Sequence, residues 1–326
     1  MPEPLIVYSP TLAPDALDIA KQYLPAGFRF EIVPPEQLAD AACEADYLMG
    51  FIGRLRDEVF GDAKRLKLVQ LMSVGYDTFN LEGARQARVP VAVNGGANAI
   101  AVAEHTIMLM LATLKHLCEL DDVVHSGQWK SGHTGALRLY EIWHSTVGIV
   151  GMGRIGQQVA QRLRGWDAEL VYYDPFRLPP ERERELGVIY LPFEELCRQS
   201  DVITVHVPLN EQTHHLVNEG ALRLMRPNAV LVNTSRGELV DEAALVTALE
   251  EERIAGAGLD VFSQEPPPAD HPLFRFPNAI LTPHVAGPTW QSWPRRFENC
   301  FANIARVERG EAPQGVVPEL ADRVSG

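Results

Sequence analysis

The chain has 326 residues, 46% of them hydrophobic, and a formal net charge of −14 at pH 7. This length and composition predict two globular domains, each with a full hydrophobic core. An acidic surface repels phosphate backbones and anionic lipid headgroups, which argues against nucleic-acid and membrane partners, although a local positive site can still bind a small anion.

Targeting and metal signals are weak throughout the sequence. The cysteines follow no CxxC or CxxH spacing, so we expect no metal site and no disulfide framework. The opening residues MPEPLIVYSP lack the basic segment and long apolar run of a signal peptide. The longest strongly apolar stretch, 106–114, is too short to span a bilayer. We therefore expect a cytoplasmic protein.

The first third of the chain alternates short apolar runs with helix-like segments. Such runs, continuous rather than alternating, predict strands of a parallel sheet that helices cover on both faces. The runs are LIVY (5–8), FEIV (30–33), YLMGFI (47–52), LKLVQLMSV (66–74) and VPVAV (89–93).

One long helix is predicted from about residue 98 to residue 120. Its apolar residues occupy nearly every face, which is typical of a core helix and also of a helix at a subunit contact. Both interpretations stay open at this point.

A second α/β series begins at residue 146. Its predicted strands lie in TVGIVG, ELVYYD, VITVHVP, AVLVNTS, AGLDVF and AILTPH. Between them, Asp241 is placed to cap a helix over 241–252. A closing helix is predicted to start near Ser292, because Pro294 is tolerated only in a first turn.

A glycine-rich turn opens this second series. In VGIVGMGRIG, Gly151, Gly153 and Gly156 form a G-x-G-x-x-G pattern between an apolar strand and a helix. In this context the glycines permit a tight turn, close approach of a pyrophosphate and close packing of helix on strand. The pattern predicts dinucleotide binding.

The residue after the next strand indicates which dinucleotide. Asp174 stands 18 residues after Gly156, where a carboxylate binds ribose hydroxyls and repels a 2′-phosphate. We expect NAD rather than NADP. Arg177 is the reservation, because its guanidinium is within reach of a 2′-phosphate.

Three later segments each follow a predicted strand end. They are LVNTSRGELVDE with Arg236, GAGLDVFSQEPP with Asp260 and Glu265, and LTPHVAGPT with His284. The carboxyl ends of parallel strands are where open α/β sheets bind ligands. No tyrosine has a lysine four residues later, so the Tyr-x-x-x-Lys class of short-chain dehydrogenases is excluded.

Together with GMGRIG, HVPL (206–209), VAEHT (102–106) and SVGYD (73–77), these segments resemble the D-isomer-specific 2-hydroxyacid dehydrogenases over about residues 45–310. The resemblance extends to the glyoxylate, hydroxypyruvate and phosphoglycerate enzymes of that family. By it, Arg236 binds substrate, Glu265 partners the histidine and His284 is the acid/base. The backbone of Val74 and Gly75 then receives the substrate carboxylate.

The chemistry of 2-oxo acid reduction suits these residue types. A protonated imidazole supplies a proton near neutral pH, since unperturbed histidine titrates at about 6.5. A carboxylate bonded to the far ring nitrogen fixes its tautomer, and an arginine fork grips a carboxylate. The partner is therefore a small anionic 2-oxo or 2-hydroxy acid.

The resemblance also implies an architecture. We expect two doubly wound parallel-sheet domains, a flavodoxin-like substrate domain over 1–98 plus 290–326 and an inserted Rossmann cofactor domain over 99–289. Substrate is expected between them, and the helix near 98–120 and the region through Trp129 suggest a homodimer. The implied cofactor contacts are Gly151, Gly153, Arg154, Ile155, Asp174, Val207, Pro208, Thr213, Thr234, Ser235, Arg236, Asp260, His284 and Gly287.

Alternatives remain. PPADHPLF (267–274) echoes a formate dehydrogenase segment, but that enzyme pairs its histidine with glutamine where this chain has Glu265. Phosphite dehydrogenase keeps a similar triad, and an NAD-sensing corepressor shares the fold. A packing role is expected for Trp293 and Trp290, with lining of a substrate pocket as the alternative for one of them.

Overall fold

The computed structural model describes residues 3–53, 55–129 and 135–323. The chain divides into two compact units. The first unit comprises residues 1–98 and 288–326, and the second comprises residues 99–287.

Short strands alternate with helices along most of the chain. The strands are β1 (Leu5–Ser9), β2 (Arg29–Ile32), β3 (Tyr47–Gly50), β4 (Leu68–Leu71), β5 (Val91–Ala92), β6 (Thr146–Val150), β7 (Glu169–Tyr173), β8 (Val188–Tyr190), β9 (Val202–Val205), β10 (Val230–Asn233), β11 (Gly256–Leu259) and β12 (Ala279–Leu281). The helices are α1 (Pro14–Tyr23), α2 (Leu38–Ala42), α3 (Asp57–Asp62), α4 (Leu81–Ala87), α5 (Ala99–Leu114), α6 (Leu117–His125), α7 (Arg154–Leu163), α8 (Pro180–Leu186), α9 (Phe193–Gln199), α10 (Glu219–Leu224), α11 (Glu242–Glu250) and α12 (Ser292–Glu308).

The first unit is built on a parallel sheet with strand order β2-β1-β3-β4-β5. Its inner strands are buried along their whole length, as expected where helices cover both faces. On one face, Phe297, Phe301 and Ile304 of α12 join a core with Ile6 and Tyr8 of β1. The order is that of the flavodoxin-like folds.

The second unit holds a seven-stranded sheet of order β12-β11-β10-β9-β6-β7-β8. Every pairing in it is parallel. Strand order reverses between β6 and β9, which is the switch point where such sheets bind nucleotides. The predicted fold class, two doubly wound parallel sheets, is confirmed.

The single helix predicted for 98–120 is wrong, because the structure has two helices there. Helix α5 ends at Leu114 and α6 begins at Leu117, at a bend of 64°. His116 between them has a left-handed backbone, with φ of 49°. A left-handed residue cannot continue a right-handed helix, and neither glycine nor proline marks the position.

Two other expectations for helix ends are confirmed. Asp241 caps α11, its side chain accepting a hydrogen bond from the Ala244 backbone N–H. Helix α12 starts at Ser292, which leaves Pro294 in the first turn. In the described part of the chain, none of the helices is by itself long and apolar enough to cross a membrane, and only the bent pair α5 and α6 passes on length and composition.

Candidate active site

The glycine loop joins β6 to α7 at the switch point of the second sheet. Gly151 has φ of +98°, and a Cβ there would lie 2.7 Å from the carbonyl carbon of His206. A Cβ on Gly156 would lie 2.1 Å from the Gly151 carbonyl oxygen. At Gly153 a Cβ would meet nothing within 4 Å, so open space adjoins the first N–H groups of α7. This turn suits a pyrophosphate, which the N-terminus of a helix binds.

Asp174 lies directly beside that loop. Its carboxylate accepts hydrogen bonds from the backbone N–H groups of Met152 and Phe176, each at 2.8 Å. These bonds hold the carboxylate at the end of β7, and each oxygen keeps a lone pair that a ribose hydroxyl can use. The residues of the loop therefore fit an adenosine ribose.

Arg177, the residue within reach of a 2′-phosphate, is tied to another partner. Its Nε and Nη2 donate to the two carboxylate oxygens of Glu183, at 2.8 and 3.0 Å. This bond raises the pKa of the Arg177 guanidinium and, with the Tyr172 hydroxyl, lowers the pKa of Glu183. The guanidinium also lies 5.1 Å from the ring centre of Tyr190.

Further sequence-predicted cofactor residues lie after β9 and β10. The Thr213 hydroxyl donates to the Pro208 carbonyl at 2.6 Å, which closes the loop that begins with Val207. Ser235 Oγ donates to the Val205 carbonyl at 2.9 Å, and Thr234 Oγ1 lies 2.9 Å from Thr106 Oγ1. Because β6, β9 and β10 are adjacent and parallel, these loops share one edge of the sheet with the glycine loop.

His206 lies on the same edge and is partly buried. Its Nε2 lies 2.9 Å from Thr204 Oγ1, while Nδ1 is covered and has no hydrogen-bond partner among the described residues. Burial lowers the pKa of His206 to about 3. His214 and His215 stack on each other with ring centres 4.0 Å apart.

Arg236 follows β10. Its carbonyl accepts a hydrogen bond from Asn233 Nδ2 at 2.7 Å, and its Nη1 donates to the Ser235 carbonyl at 2.7 Å. The next residue, Gly237, makes room for a neighbouring loop, since a Cβ there would lie 1.9 Å from the Phe262 carbonyl carbon. The arginine loop is thus packed against the loop that follows β11.

Glu265 and His284 form a direct pair. Nδ1 of His284 lies 2.7 Å from Glu265 Oε2, and the other glutamate oxygen accepts the Phe262 backbone N–H at 3.1 Å. An ionised carboxylate only accepts, so Nδ1 carries the hydrogen and Nε2 remains for a ligand. Both side chains are exposed, 46% for His284 and 38% for Glu265. The pair can therefore exchange a proton with a bound molecule.

Asp260 lies beneath that pair and is completely buried. It accepts hydrogen bonds from Thr282 Oγ1 at 2.5 Å and from the backbone N–H groups of Val285 and Ala286, both at 2.9 Å. The His284 N–H donates to the Asp260 carbonyl at 2.7 Å. Asp260 thus holds residues 282–286, the histidine loop, in place.

A second histidine reaches this network from α5. Nε2 of His105 lies 3.0 Å from Thr282 Oγ1 and 3.4 Å from Asp260 Oδ1. The single Thr282 hydroxyl proton is given to Asp260, so the hydroxyl accepts from an Nε2–H group of His105. Burial lowers the pKa of His105, and the Asp260 charge opposes that shift. His105 was not singled out from the sequence, so its tie to the histidine loop was missed.

Val74 and Gly75 belong to the first unit, in the loop after β4. Ser73 Oγ donates to the Gly75 carbonyl at 2.7 Å, and the Asn94 N–H donates to the Ser73 carbonyl at 3.0 Å. Val74 itself is exposed. The remaining predicted residues, from Gly151 to Gly287, belong to the second unit. The groups of His/Cys/Asp/Glu side chains in the described parts of both units include none arranged to hold a metal ion.

Comparison with known proteins shows which family and which relatives the chain is similar to. Residues 107–286 match the family model described as D-isomer specific 2-hydroxyacid dehydrogenase, NAD binding domain. The chain is 41% identical over 268 residues to a glyoxylate reductase of Korarchaeum cryptofilum, an overlap of 82% of this chain and 80% of that one.

Solved structures are similar over nearly the whole chain. A glyoxylate reductase from Paecilomyes thermophila has 28% identity and a TM-score of 0.82, covering 98% of this chain and 99% of that one. A formate dehydrogenase of Granulicella has 31% identity and a TM-score of 0.79, covering 90% of this chain and 79% of that one.

Proposed function

Because the chain belongs to the D-isomer-specific 2-hydroxyacid dehydrogenase family, we propose that it interconverts 2-oxo acids and D-2-hydroxy acids through His284, Glu265 and Arg236. The observation that carries the proposal is the 2.7 Å bond between His284 Nδ1 and Glu265 Oε2. It leaves an exposed Nε2 on a histidine whose orientation a carboxylate fixes.

His284 acts as the general acid in reduction. Negative charge develops on the substrate carbonyl oxygen as its carbon is reduced, and Nε2 of the imidazolium gives that oxygen a proton. Glu265 keeps the ring oriented through its bond to Nδ1. In oxidation the neutral imidazole takes the hydroxyl proton back. Bound nicotinamide supplies or accepts the hydride.

Arg236 binds the substrate anion. A guanidinium stays charged at all working pH values and donates two parallel hydrogen bonds to a carboxylate. Backbone N–H groups at Val74 and Gly75 receive the same carboxylate, where glycine allows close approach. This division of work explains how a chain with a net charge of −14 binds an anionic substrate.

NAD is the proposed cofactor, held by the glycine loop, Asp174 and the loops after β9 and β10. The support is the Asp174 carboxylate beside the loop, which would repel a 2′-phosphate, together with the engagement of Arg177 by Glu183. Initial rates with NADH and NADPH at matched 2-oxo acid concentration test this. Faster turnover with NADPH would contradict it.

The proposed mechanism is tested by turnover of glyoxylate, hydroxypyruvate, pyruvate and phenylpyruvate with NADH. We expect His284→Ala to lower turnover by about 10²-fold or more, the range for loss of a general acid, while NADH affinity stays the same. His125→Ala is the matched control, since its side chain is 77% exposed on α6. Near-parent turnover in His284→Ala would show that another group is the acid.

The same panel, extended by formate and phosphite with NAD⁺, separates the alternative activities. Formate releases a hydride and carbon dioxide but no proton that needs a base, so its oxidation does not need a Glu265–His284 acid/base pair. Oxidation of formate or phosphite with NAD⁺, without reduction of any 2-oxo acid, would favour those activities. NADH binding without turnover of any member would favour a sensor of the NAD redox state.

A homodimer is proposed as the working form. Helices α5 and α6 expose apolar side chains of the kind that subunit contacts cover, Met108, Leu117 and Val124 among them. Sedimentation at micromolar concentration should give a mass of twice 36.1 kDa. A monomer at that concentration would contradict the proposal.

A further inference from the structure

The first unit contains a cavity of about 330 Å³ that the catalytic proposal does not use. Aromatic and aliphatic side chains line most of it: Tyr8, Phe51, Trp290 and Trp293 are aromatic, and Leu12 and Ala13 are aliphatic. The described residues that line it include no charged side chain. Such walls bind an uncharged apolar group.

The cavity lies at the carboxyl ends of β1 and β3. The Phe51 N–H donates to the Ser9 carbonyl at 2.9 Å, which joins these two strand ends. The Met72 N–H donates to the Gly50 carbonyl at 2.8 Å, which joins β3 to the end of β4. Strand β4 is paired with β3, about 4.8 Å away, so the loop that carries Gly75 leaves the sheet at the same edge as the cavity.

Of the four aromatic side chains, Tyr8 is fully buried, and Phe51 and Trp293 are held by packing. Trp293 stacks on Phe297, with ring centres 5.6 Å apart, and meets Phe51 edge to face at 6.0 Å. The Arg296 guanidinium lies 5.3 Å from the centre of the Phe51 ring. Trp290 differs, because it lines the cavity while 56% of its surface is exposed. It can therefore cover a ligand without losing an internal contact.

The volume is suited to a large side chain. An engineered apolar cavity of about 150 Å³ is enough to bind benzene. Glyoxylate has no side chain and would leave the cavity to water. A phosphorylated or carboxylated side chain would lose its hydration there without meeting a cation, which is costly.

We propose that this cavity is the subsite for the side chain of the substrate, and that the enzyme prefers 2-oxo acids with an aromatic or large branched side chain. The inference rests on the proposed function, which places the substrate carboxylate at Val74 and Gly75. The side chain takes no part in the reaction: one hydride and one proton still convert the 2-oxo group to the 2-hydroxy group.

The test compares kcat/KM for phenylpyruvate, 2-oxo-4-methylpentanoate, pyruvate and glyoxylate with NADH. We expect phenylpyruvate to exceed pyruvate at least tenfold, in line with about 10- to 200-fold per buried methylene-sized group. Ala13→Phe, which fills the cavity from its exposed rim, and Trp290→Ala, which removes its cover, should each lower the phenylpyruvate-to-glyoxylate ratio by about tenfold.

Trp166→Ala, in the second unit, is the matched control and should keep the parent ratio. A binding measurement stands beside the kinetics: D-3-phenyllactate without cofactor should quench tryptophan fluorescence in the parent more strongly than D-lactate does, and less in Trp290→Ala. Turnover of glyoxylate with no preference for phenylpyruvate, or a ratio that neither cavity variant changes, would overturn the inference alone. Failure to reduce any 2-oxo acid would overturn the proposed function itself.

Discussion

Two histidine–carboxylate pairs lie at the carboxyl ends of β11 and β12, and they differ mainly in exposure. Glu265 and His284 bond directly at 2.7 Å, with more than a third of each side chain exposed. Asp260 and His105 are linked through Thr282, and their side chains are 0% and 14% exposed. A proton donor must touch its substrate, so only the first pair suits the role we propose for it. The buried pair acts as support.

The buried pair supports the exposed one through the histidine loop. His284 has a left-handed backbone with φ of 53°, a conformation that costs roughly 1–2 kcal/mol in a residue with a side chain. Asp260 holds the loop in that conformation with three donors on its carboxylate. The position of His284 therefore depends on a buried carboxylate.

The largest effect that separates the two pairs is expected from Asp260→Asn. The amide keeps the shape but loses the charge and turns an NH₂ group toward backbone donors, so the free energy of unfolding should fall by about 2–3 kcal/mol. Urea unfolding measures it, and turnover should fall as well because the histidine loop shifts. Asp270→Asn, at an exposed position, is the control. If Asp260→Asn and Asp270→Asn have the same free energy of unfolding, Asp260 does not support the histidine loop.

An intermediate effect, on activity alone, is expected from Glu265→Gln. The pair is exposed, so the free energy of unfolding should change by no more than about 0.5 kcal/mol. Reduction should slow about tenfold, or about 1.4 kcal/mol, because an amide is a weaker partner than a carboxylate for the Nδ1–H group that orients the ring. Glu298→Gln is an exposed control on α12. A stability loss as large as that of Asp260→Asn would break the distinction between the pairs.

The exposed pair could be predicted from sequence, and its support could not. Continuous apolar runs predict parallel strands, and the carboxyl ends of such strands place Arg236, Glu265 and His284 on one edge. The contact of His105 with Thr282 spans 177 residues of sequence, and no local pattern encodes it. The bonds that the Asp260 carboxylate accepts from residues 282–286 are likewise encoded by no local pattern, and its contact with the cofactor stays a prediction.

The ends of helices and strands were also hard to predict where they depend on backbone conformation set by distant contacts. The break between α5 and α6 depends on the left-handed conformation of His116, whose Nδ1 lies 3.2 Å from Glu119 Oε2. Histidine is compatible with a continuing helix, so the sequence predicts one. Strand β4 is shorter than its apolar run over 66–74, because the chain turns away after Leu71 into the loop of Val74. Tertiary contacts decide both endpoints.

The smallest effect that tests the comparison is expected from His105→Gln. Loss of one buried hydrogen bond to Thr282 should lower the free energy of unfolding by about 1 kcal/mol at pH 7. Burial lowers the pKa of His105 in the folded protein. As the pH falls below about 6.5, the unfolded chain therefore binds a proton more readily than the folded one, and stability is lost.

Glutamine has no proton to gain, so the variant should lose less stability than the parent between pH 7 and pH values below about 6.5. Urea unfolding at several pH values measures how the free energy of unfolding changes with pH in the variant and in the parent. His125→Gln, on the exposed face of α6, should show the same dependence on pH as the parent. If His105→Gln also shows that dependence, the folded protein protonates His105 as easily as the unfolded chain does. Burial would then not hinder protonation in the Asp260–Thr282–His105 network, and exposure would no longer be what separates it from the Glu265–His284 pair.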